Sequence, residues 1–266
     1  MSAPDRWFDA AEYERYVGRW SRLVARDFLA WIAVPWRLRW LDVGCGTGAL
    51  SQTILSRCQP YSVLAVDRST AYAKAAAKAV ADERAKFLAA DAQALPVGEG
   101  VFHAAVSGLM LNFVPDPRRT LQEMAWAVES GGMVAFYVWD YAGRMEMMRH
   151  FWDAAVALDP GARARDEAQR FPICRPEALQ PLAIAAGLTD VETRGLEVPT
   201  EFRDFDDYWT PFLSGEGPAP GYCASLEEGH RMRLRDALRA RLPVQPDGSI
   251  SLIARAWAVR GRAPEA

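Results

Sequence analysis

Short apolar runs alternate with longer stretches of helical spacing between Leu38 and Trp139. Such alternation is typical of βαβ units, in which helices cover both faces of buried parallel strands. We therefore predict an α/β fold with a doubly wound, mostly parallel sheet. The predicted strands of this region are Trp40–Val43, Val63–Val66, Lys86–Ala89, Ala104–Ser107 and Met133–Trp139.

Two of the helices between these strands carry signals at their ends. Ser69 is a predicted N-cap of the alanine-rich stretch Ala71–Ala81, because its hydroxyl can accept from the first-turn amides. The dipeptide Gly131–Gly132 is expected to end the second helix, since glycine readily adopts the left-handed conformation found there. That helix is predicted from apolar residues at helical spacing, namely Leu121, Met124, Ala125 and Val128.

Beyond Asp140 the pattern is mainly helical. Ser225 and Glu228 form a predicted capping box, which would begin a helix that runs to about Leu242. The glycines and prolines of Gly215–Gly221 predict a mobile loop. The remaining predicted elements are the helices Gly143–Leu158 and Pro176–Ala186 and the strands Val191–Val198 and Ser249–Val259.

No linker-like segment divides the 266 residues, so we predict one domain whose outer helices cap the sheet. Its predicted parts are N-terminal cap helices in 1–37, a core in 38–140, cap helices and substrate-side elements with a sixth strand in 141–248, and a last strand in 249–260.

Charge and composition narrow the class of protein. The formal net charge is -3 and no run of Lys or Arg occurs, which argues against a nucleic-acid partner. The four cysteines lack C-x-x-C spacing, so no metal site is predicted and a reducing compartment is favoured. The start of the chain lacks the pattern of a secretory signal, and the longest apolar stretch, Val101–Val114, is too short to span a bilayer. We expect a cytoplasmic protein without membrane insertion.

The most informative stretch is Leu41–Gly48, which reads L-D-V-G-C-G-T-G where the first predicted strand leads into a helix. Ligands of open α/β sheets bind beyond the carboxyl ends of the strands, and glycines let a ligand lie against the main chain. The G-x-G-x-G spacing differs from the G-x-G-x-x-G of nicotinamide-binding loops. A nicotinamide dehydrogenase is therefore a distant alternative.

The whole string resembles motif I of the class I S-adenosylmethionine (SAM)-dependent methyltransferases. Four further segments are similar to elements of that family, although His103 replaces an acid and Ser130 replaces a proline. We interpret His103 as structural. These segments are Val66–Asp67, Asp91–Pro96, Val101–Ser107 and Val128–Met133. The resemblance covers Trp40–Asp140 and points to a small-molecule group that includes enzymes of the ubiquinone/menaquinone-biosynthesis type; Tyr13–Trp20 is similar to that group's leading helix.

The resemblance implies a seven-stranded Rossmann-like methyltransferase sheet with a helical cap, SAM as cofactor and S-adenosylhomocysteine as product. It implies that Asp67 binds the ribose hydroxyls and that Asp91 reaches the adenine amino group, whereas turn or loop roles are the structural alternatives. Tyr16 would pack on SAM and Arg19 would pair with its carboxylate, unless both lie on a plain cap helix. The implied cofactor-binding residues are Tyr16, Arg19, Asp42, Gly44, Cys45, Gly46, Gly48, Asp67, Arg68, Asp91, Ala92, Gln93, Ser107 and Gly108.

The methyl acceptor is expected to be a small, partly apolar or aromatic molecule. In-line transfer from a sulfonium needs mainly positioning, so no catalytic residue is assigned among the candidate bases His150, Asp140, Tyr141 and Tyr16. The chain lacks the D/N-P-P-Y/F loop of enzymes that methylate a flipped base. A non-catalytic SAM-binding regulatory or partner protein is the alternative, and the oligomeric state is not predicted. Aromatic residues that could line the acceptor pocket are Trp139, Tyr141, Phe151, Trp152, Phe205, Tyr208, Trp209 and Phe212.

Overall fold

The structure, a computed structural model, describes residues 10–215 and 217–265. These residues form two compact units. Unit 1 contains the described residues of Met1–Trp20, Asp140–Pro172 and Glu197–Arg255. Unit 2 contains those of Ser21–Trp139, Ile173–Leu196 and Ala256–Ala266. The single-domain organisation stays a prediction.

The described chain contains a seven-stranded sheet of order β3-β2-β1-β4-β5-β7-β6. Its strands are β1 (Arg39–Val43), β2 (Ser62–Asp67), β3 (Ala85–Ala89), β4 (Phe102–Gly108), β5 (Val128–Trp139), β6 (Thr189–Phe202) and β7 (Ile250–Arg262). Strands β1 to β5 pair in parallel, whereas β7 pairs antiparallel with β5. The predicted α/β Rossmann-like sheet, seven-stranded and mostly parallel, is therefore confirmed. The order reverses beside β1, which makes the carboxyl end of β1 the expected ligand site.

The helices of the described residues are α1 (Ala10–Tyr13), α2 (Arg19–Ile32), α3 (Ala49–Arg57), α4 (Thr70–Val80), α5 (Pro117–Ala127), α6 (Glu146–Leu158), α7 (Glu167–Arg170), α8 (Pro176–Ala185), α9 (Phe205–Trp209), α10 (Pro218–Ser225) and α11 (Glu228–Arg241). A π-helical turn, Glu14–Gly18, joins α1 to α2. Short 3₁₀ turns lie at Leu111–Phe113, Pro160–Arg165 and Thr210–Leu213.

The core of unit 2 lies around the central strands. Trp40, Leu41 and Val43 of β1 are completely buried, as expected of a strand covered on both faces. The predicted N-cap Ser69 is confirmed, because its hydroxyl accepts from the backbone N–H of Tyr72 at 3.3 Å. His103 has a structural contact, since its Nδ1 accepts from the backbone N–H of Arg39 at 3.1 Å.

Two predicted helix boundaries are wrong, and each has a local cause. Helix α5 ends at Ala127 because Val128 is already extended and pairs with Phe102, so Gly131–Gly132 lies within β5 at a register shift instead of at a helix end. Ser225 is the last residue of α10, whereas α11 begins at Glu228 after the N-cap Glu227. The predicted loop Gly215–Gly221 is only partly a loop, since α10 begins at Pro218; Glu216 lies outside the described residues.

Candidate functional site

The loop between β1 and α3 is bent by its glycines. Gly44, Gly46 and Gly48 have φ values of +77°, +52° and +90°, a left-handed region that favours glycine. A Cβ added at Gly44 would lie 2.3 Å from Cγ of Met110, whereas one added at Gly46 would have nothing within 4 Å. Because the backbone at Gly46 borders open space, a ligand can lie directly against it. This opening fits the cradle that SAM requires.

Asp67, at the end of β2, holds this loop in place. Its Oδ2 accepts from the backbone N–H of Gly46 at 2.9 Å, and its Oδ1 accepts from that of Ser69 at 2.8 Å. Burial raises the pKa of Asp67, while both backbone hydrogen bonds lower it. A carboxylate has about four lone-pair sites, so both oxygens can still accept from the hydroxyls of a ribose.

Asp42 lies beneath the loop and is completely buried. Its Oδ2 accepts from the hydroxyl of Ser51 at 2.6 Å, and its Oδ1 has no partner among the described residues. Burial raises the pKa of Asp42 to about 7, although the hydrogen bond from Ser51 lowers it and the charge of Asp67 raises it further. The sequence analysis did not assign Ser51 to the site. Its only sequence signal is that a polar residue occupies the buried side of α3. The free oxygen of Asp42 leaves an acceptor for a donor of the cofactor.

The segment after β3 carries the residues implied to meet the adenine. Asp91 is exposed and its Oδ1 accepts from the backbone N–H of Gln93 at 2.9 Å. The side chain of Gln93 in turn accepts from the backbone N–H of Asp116, the N-cap of α5, at 2.9 Å. Ala92 is half-buried, and Arg68 is exposed after β2. The turn is thus fixed on both sides, with the carboxylate of Asp91 facing solvent.

The end of β4 and the turn after it carry buried polar groups that lack partners in the described ranges. Ser107 is buried and its hydroxyl has no partner among the described residues. A Cβ at Gly108 would lie 2.6 Å from the hydroxyl oxygen of Tyr137, so a larger residue there would force that ring to shift. Asn112 follows in the 3₁₀ turn, buried, and neither its Oδ1 nor its Nδ2 has a partner in the described chain. Sequence reasoning did not assign Asn112 to the site; the available signal was an amide inside an apolar run. Cys45 is buried in the glycine loop, which raises the pKa of its thiol.

Tyr16 and Arg19 make their observed contacts inside unit 1. The ring of Tyr16 is completely buried and packs edge-on against Phe212 at 5.6 Å between centroids. Arg19 donates to Oδ1 of Asp207 at 3.1 Å, and its guanidinium lies 4.7 Å from the ring centroid of Phe202. Within the described residues, the hydroxyl of Tyr16 and Nε of Arg19 have no partner. Contact of either residue with SAM stays a prediction.

The candidate bases have ordinary structural contacts. Asp140 is buried and accepts from Arg255 at 2.8 Å and from the backbone N–H groups of Gly143 and Arg144. His150 is half-buried, and burial lowers its pKa. No catalytic role is assigned to either residue or to Tyr141, which is buried.

Six of the eight predicted aromatic residues form one cluster in unit 1. Phe151 stacks on Phe212 at 4.4 Å and meets Trp152 edge-on at 5.2 Å. The other members in this cluster are Phe205, Tyr208 and Trp209, which contact one another or Phe212. Tyr141 contacts Phe171 in the same unit, and Trp139 belongs to β5 in unit 2.

Comparisons with known proteins agree with this geometry. A family model described as a methyltransferase domain matches residues 41–136. The malonyl-acyl-carrier protein O-methyltransferase of Geobacter sulfurreducens is 29% identical over 187 residues, which are 69% of this chain and 68% of that protein. The demethylmenaquinone methyltransferase of Roseiflexus castenholzii is 29% identical over 171 residues, which are 59% and 70% of the two chains.

A solved structure extends the fold comparison to nearly the whole chain. Phosphoethanolamine N-methyltransferase 2 of Haemonchus contortus, in complex with S-adenosyl-L-methionine, matches with a TM-score of 0.57 and 16% identity. The match covers 97% of this chain and 57% of that one, so it compares the fold alone.

Residues 41–136 thus match a methyltransferase domain, and the chain is similar to methyltransferases that include one named for demethylmenaquinone. The similarity to methyltransferases, one of them solved with S-adenosyl-L-methionine, supports SAM as the cofactor. In the described part of the chain, no helix is long and apolar enough to cross a membrane.

Proposed function

We propose that the protein transfers the methyl group of SAM to a small, partly apolar or aromatic acceptor by in-line displacement. The observation that carries this proposal is the glycine loop, in which the carboxylate of Asp67 holds Gly46 beside open space. The aromatic cluster of unit 1 supports an apolar acceptor, since small-molecule sites are lined mainly by such side chains.

We assign the SAM-binding roles as follows. Asp67 binds the ribose hydroxyls with lone pairs that its backbone bonds leave available. Asp91 reaches the adenine amino group, beside Ala92 and Gln93. The remaining proposed contacts are the loop residues Asp42, Gly44, Cys45, Gly46 and Gly48, the edge residues Arg68, Ser107 and Gly108, and Tyr16 and Arg19 at the methionine end.

The chemistry asks little of the side chains. SAM, when bound, supplies a methyl group that its sulfonium already activates. The protein binds the cofactor, orients the acceptor atom behind the methyl carbon and excludes water, and such positioning alone can contribute about 7–11 kcal/mol to lowering a barrier. This explains why cofactor-binding residues are evident and a general base is not. Cys45, Cys58 and Cys223 are buried free thiols, which supports a cytoplasmic location.

The test separates binding from turnover. Titration calorimetry with SAM and S-adenosylhomocysteine should show saturable binding, and wild-type protein should then produce S-adenosylhomocysteine when incubated with a metabolite fraction of small aromatic compounds. Absence of heat with both ligands at millimolar concentration would overturn the cofactor assignment. Tight binding without turnover across broad acceptor screens would instead show a non-catalytic SAM-binding protein.

A further inference from the structure

A cavity of about 620 Å³ lies within unit 2, away from the glycine loop. Met133 of β5 lines it and pairs with Ala104 of β4, which in turn pairs with Trp40 of β1. Trp40 precedes Gly44 by four residues, or about 13 Å at about 3.3 Å per strand residue. The cavity therefore lies near the amino ends of the parallel strands, whereas the proposed SAM site lies at their carboxyl ends.

Charged residues of the neighbouring strands β7 and β6 line this cavity. Arg260 of β7 pairs with Glu192 of β6 at 2.9 Å. Arg262 and Asp190 are exposed and lie two positions away in the same strands, but among residues 10–215 and 217–265 neither of them takes part in an ion pair. Arg262 instead donates to the backbone carbonyl of Gly131 at 3.2 Å. The wall of the cavity thus carries a cation and an anion that do not compensate each other.

The backbone of the wall is unusual at two residues that are not glycine. Asp190 and Ala33 line the cavity with φ values of +50° and +48°. A left-handed φ is costly for an L-residue and persists where the surrounding structure requires it, often at binding sites. Ala33 follows Ile32, the last residue of α2, so the carboxyl end of that helix reaches the cavity with its partial negative charge. Asp190 and the helix end therefore favour a cationic group of a ligand, whereas Arg262 favours an anionic one.

We propose that this cavity binds a zwitterionic amino acid with an apolar side chain. The charges that the described residues place on the wall sum to zero, so a ligand that carries one charge of each sign compensates the two unpaired groups. Its ammonium would pair with Asp190 and its carboxylate with Arg262, whose guanidinium suits a planar carboxylate. Its side chain would lie on the apolar part of the wall, to which Ile32, Met133 and Val191 belong. A simple acid or a simple amine would leave one wall charge uncompensated. This site is separate from the proposed methyl transfer and does not depend on it.

Ligand-observed NMR can test the site with three probes of similar shape. Phenylalanine should bind saturably at concentrations up to about 10 mM. N-acetylphenylalanine, which lacks the ammonium, and phenylalaninamide, which lacks the carboxylate, should each bind at least about tenfold more weakly. Saturating S-adenosylhomocysteine should not displace phenylalanine, because the two sites lie at opposite ends of the strands. Displacement by S-adenosylhomocysteine, equal binding of the three probes or absence of saturable phenylalanine binding would overturn the inference.

Each unpaired charge has its own variant. Arg262→Gln should weaken phenylalanine binding about tenfold but should not weaken that of phenylalaninamide, since only the carboxylate loses its partner. Asp190→Asn should weaken phenylalanine binding about tenfold but not that of N-acetylphenylalanine, and asparagine also tolerates a left-handed φ. The control is Arg118→Gln, which removes an exposed arginine of α5 in the same unit and should change no affinity. Phenylalanine binding that neither Arg262→Gln nor Asp190→Asn weakens would place the ligand elsewhere and overturn the site.

Discussion

Asp67 and Gly46 are joined by a hydrogen bond of 2.9 Å between the carboxylate Oδ2 and the backbone nitrogen. The bond connects the end of β2 to the loop after β1, 21 residues earlier in the chain. The carboxylate that shapes the loop is also the group that we propose binds the ribose hydroxyls, so one substitution can test both tasks.

Asp67→Ala should weaken SAM binding by about 10–100-fold, since hydrogen bonds to a charged group contribute roughly 1.5–3 kcal/mol. Asp67→Asn retains one oxygen acceptor and should therefore lose less SAM affinity than Asp67→Ala. Calorimetry with S-adenosylhomocysteine measures both effects. Asp82→Asn, in the turn before β3, is the control and should bind as the wild type does; equal affinity of Asp67→Ala and wild type would exclude Asp67 from the site.

Gly46→Ala should reduce SAM affinity more than it reduces stability. The left-handed φ costs a non-glycine residue roughly 1–2 kcal/mol, and the new methyl group would enter the space where the cofactor lies. Gly187→Ala is the matched control variant, because Gly187 also has a positive φ, +99°, and an added Cβ there would also have nothing within 4 Å. Urea unfolding should show similar destabilisation of both variants, whereas only Gly46→Ala should lose affinity. Unchanged SAM binding by Gly46→Ala would contradict the proposed position of the ligand.

The stability of the protein should fall as the pH rises through neutrality. The pKa of Glu167 is raised from 4.5 to about 8 and that of Asp42 from 3.8 to about 7. In each case the folded state keeps a proton that the unfolded state has lost, so the free energy of unfolding decreases from about pH 4 to about pH 8. Glu167→Gln should flatten this decline in urea-unfolding series between pH 5 and pH 9. A slope identical to that of wild type would show that Glu167 titrates normally.

Arg19→Ala should weaken SAM binding by about tenfold if its guanidinium pairs with the cofactor carboxylate, as a charge-assisted hydrogen bond contributes about 1.5–3 kcal/mol. Asp207→Ala removes the partner that Arg19 has in unit 1 and should leave SAM affinity unchanged or raise it. Thermal unfolding of both variants separates lost packing from lost binding. If both variants lose affinity equally, the Arg19–Asp207 pair is merely structural.

Trp209→Ala should raise the KM for the acceptor and leave SAM binding nearly unchanged. Trp209 is buried, and its ring stacks on Phe205 in unit 1. Steady-state kinetics, once an acceptor is known, together with calorimetry of S-adenosylhomocysteine measure the two effects. Simultaneous loss of both would assign the helix a purely structural role.

Local sequence signals predicted the strands of unit 2 well, and they failed where long-range pairing competes. Ser69 caps α4 as expected because an N-cap depends only on residues three positions away. Ser225 followed by Glu228 carries the same local signal, yet Ser225 ends α10. Likewise, the helical spacing up to Val128 was interrupted because Val128 pairs with Phe102 of β4.

The glycine loop, Asp42 and Asp67 could be identified from the sequence because motif spacing, strand ends and parallel topology bring them to one edge of the sheet. The burial of Glu167 could not be predicted, since the sequence Asp166-Glu167-Ala168 is typical of an exposed helix start. Only tertiary packing buries that carboxyl group beside the indole N–H of Trp152, 15 positions away, and raises its pKa. Backbone bends follow from residues adjacent in the chain, whereas burial and charge compensation depend on neighbours that folding alone brings together.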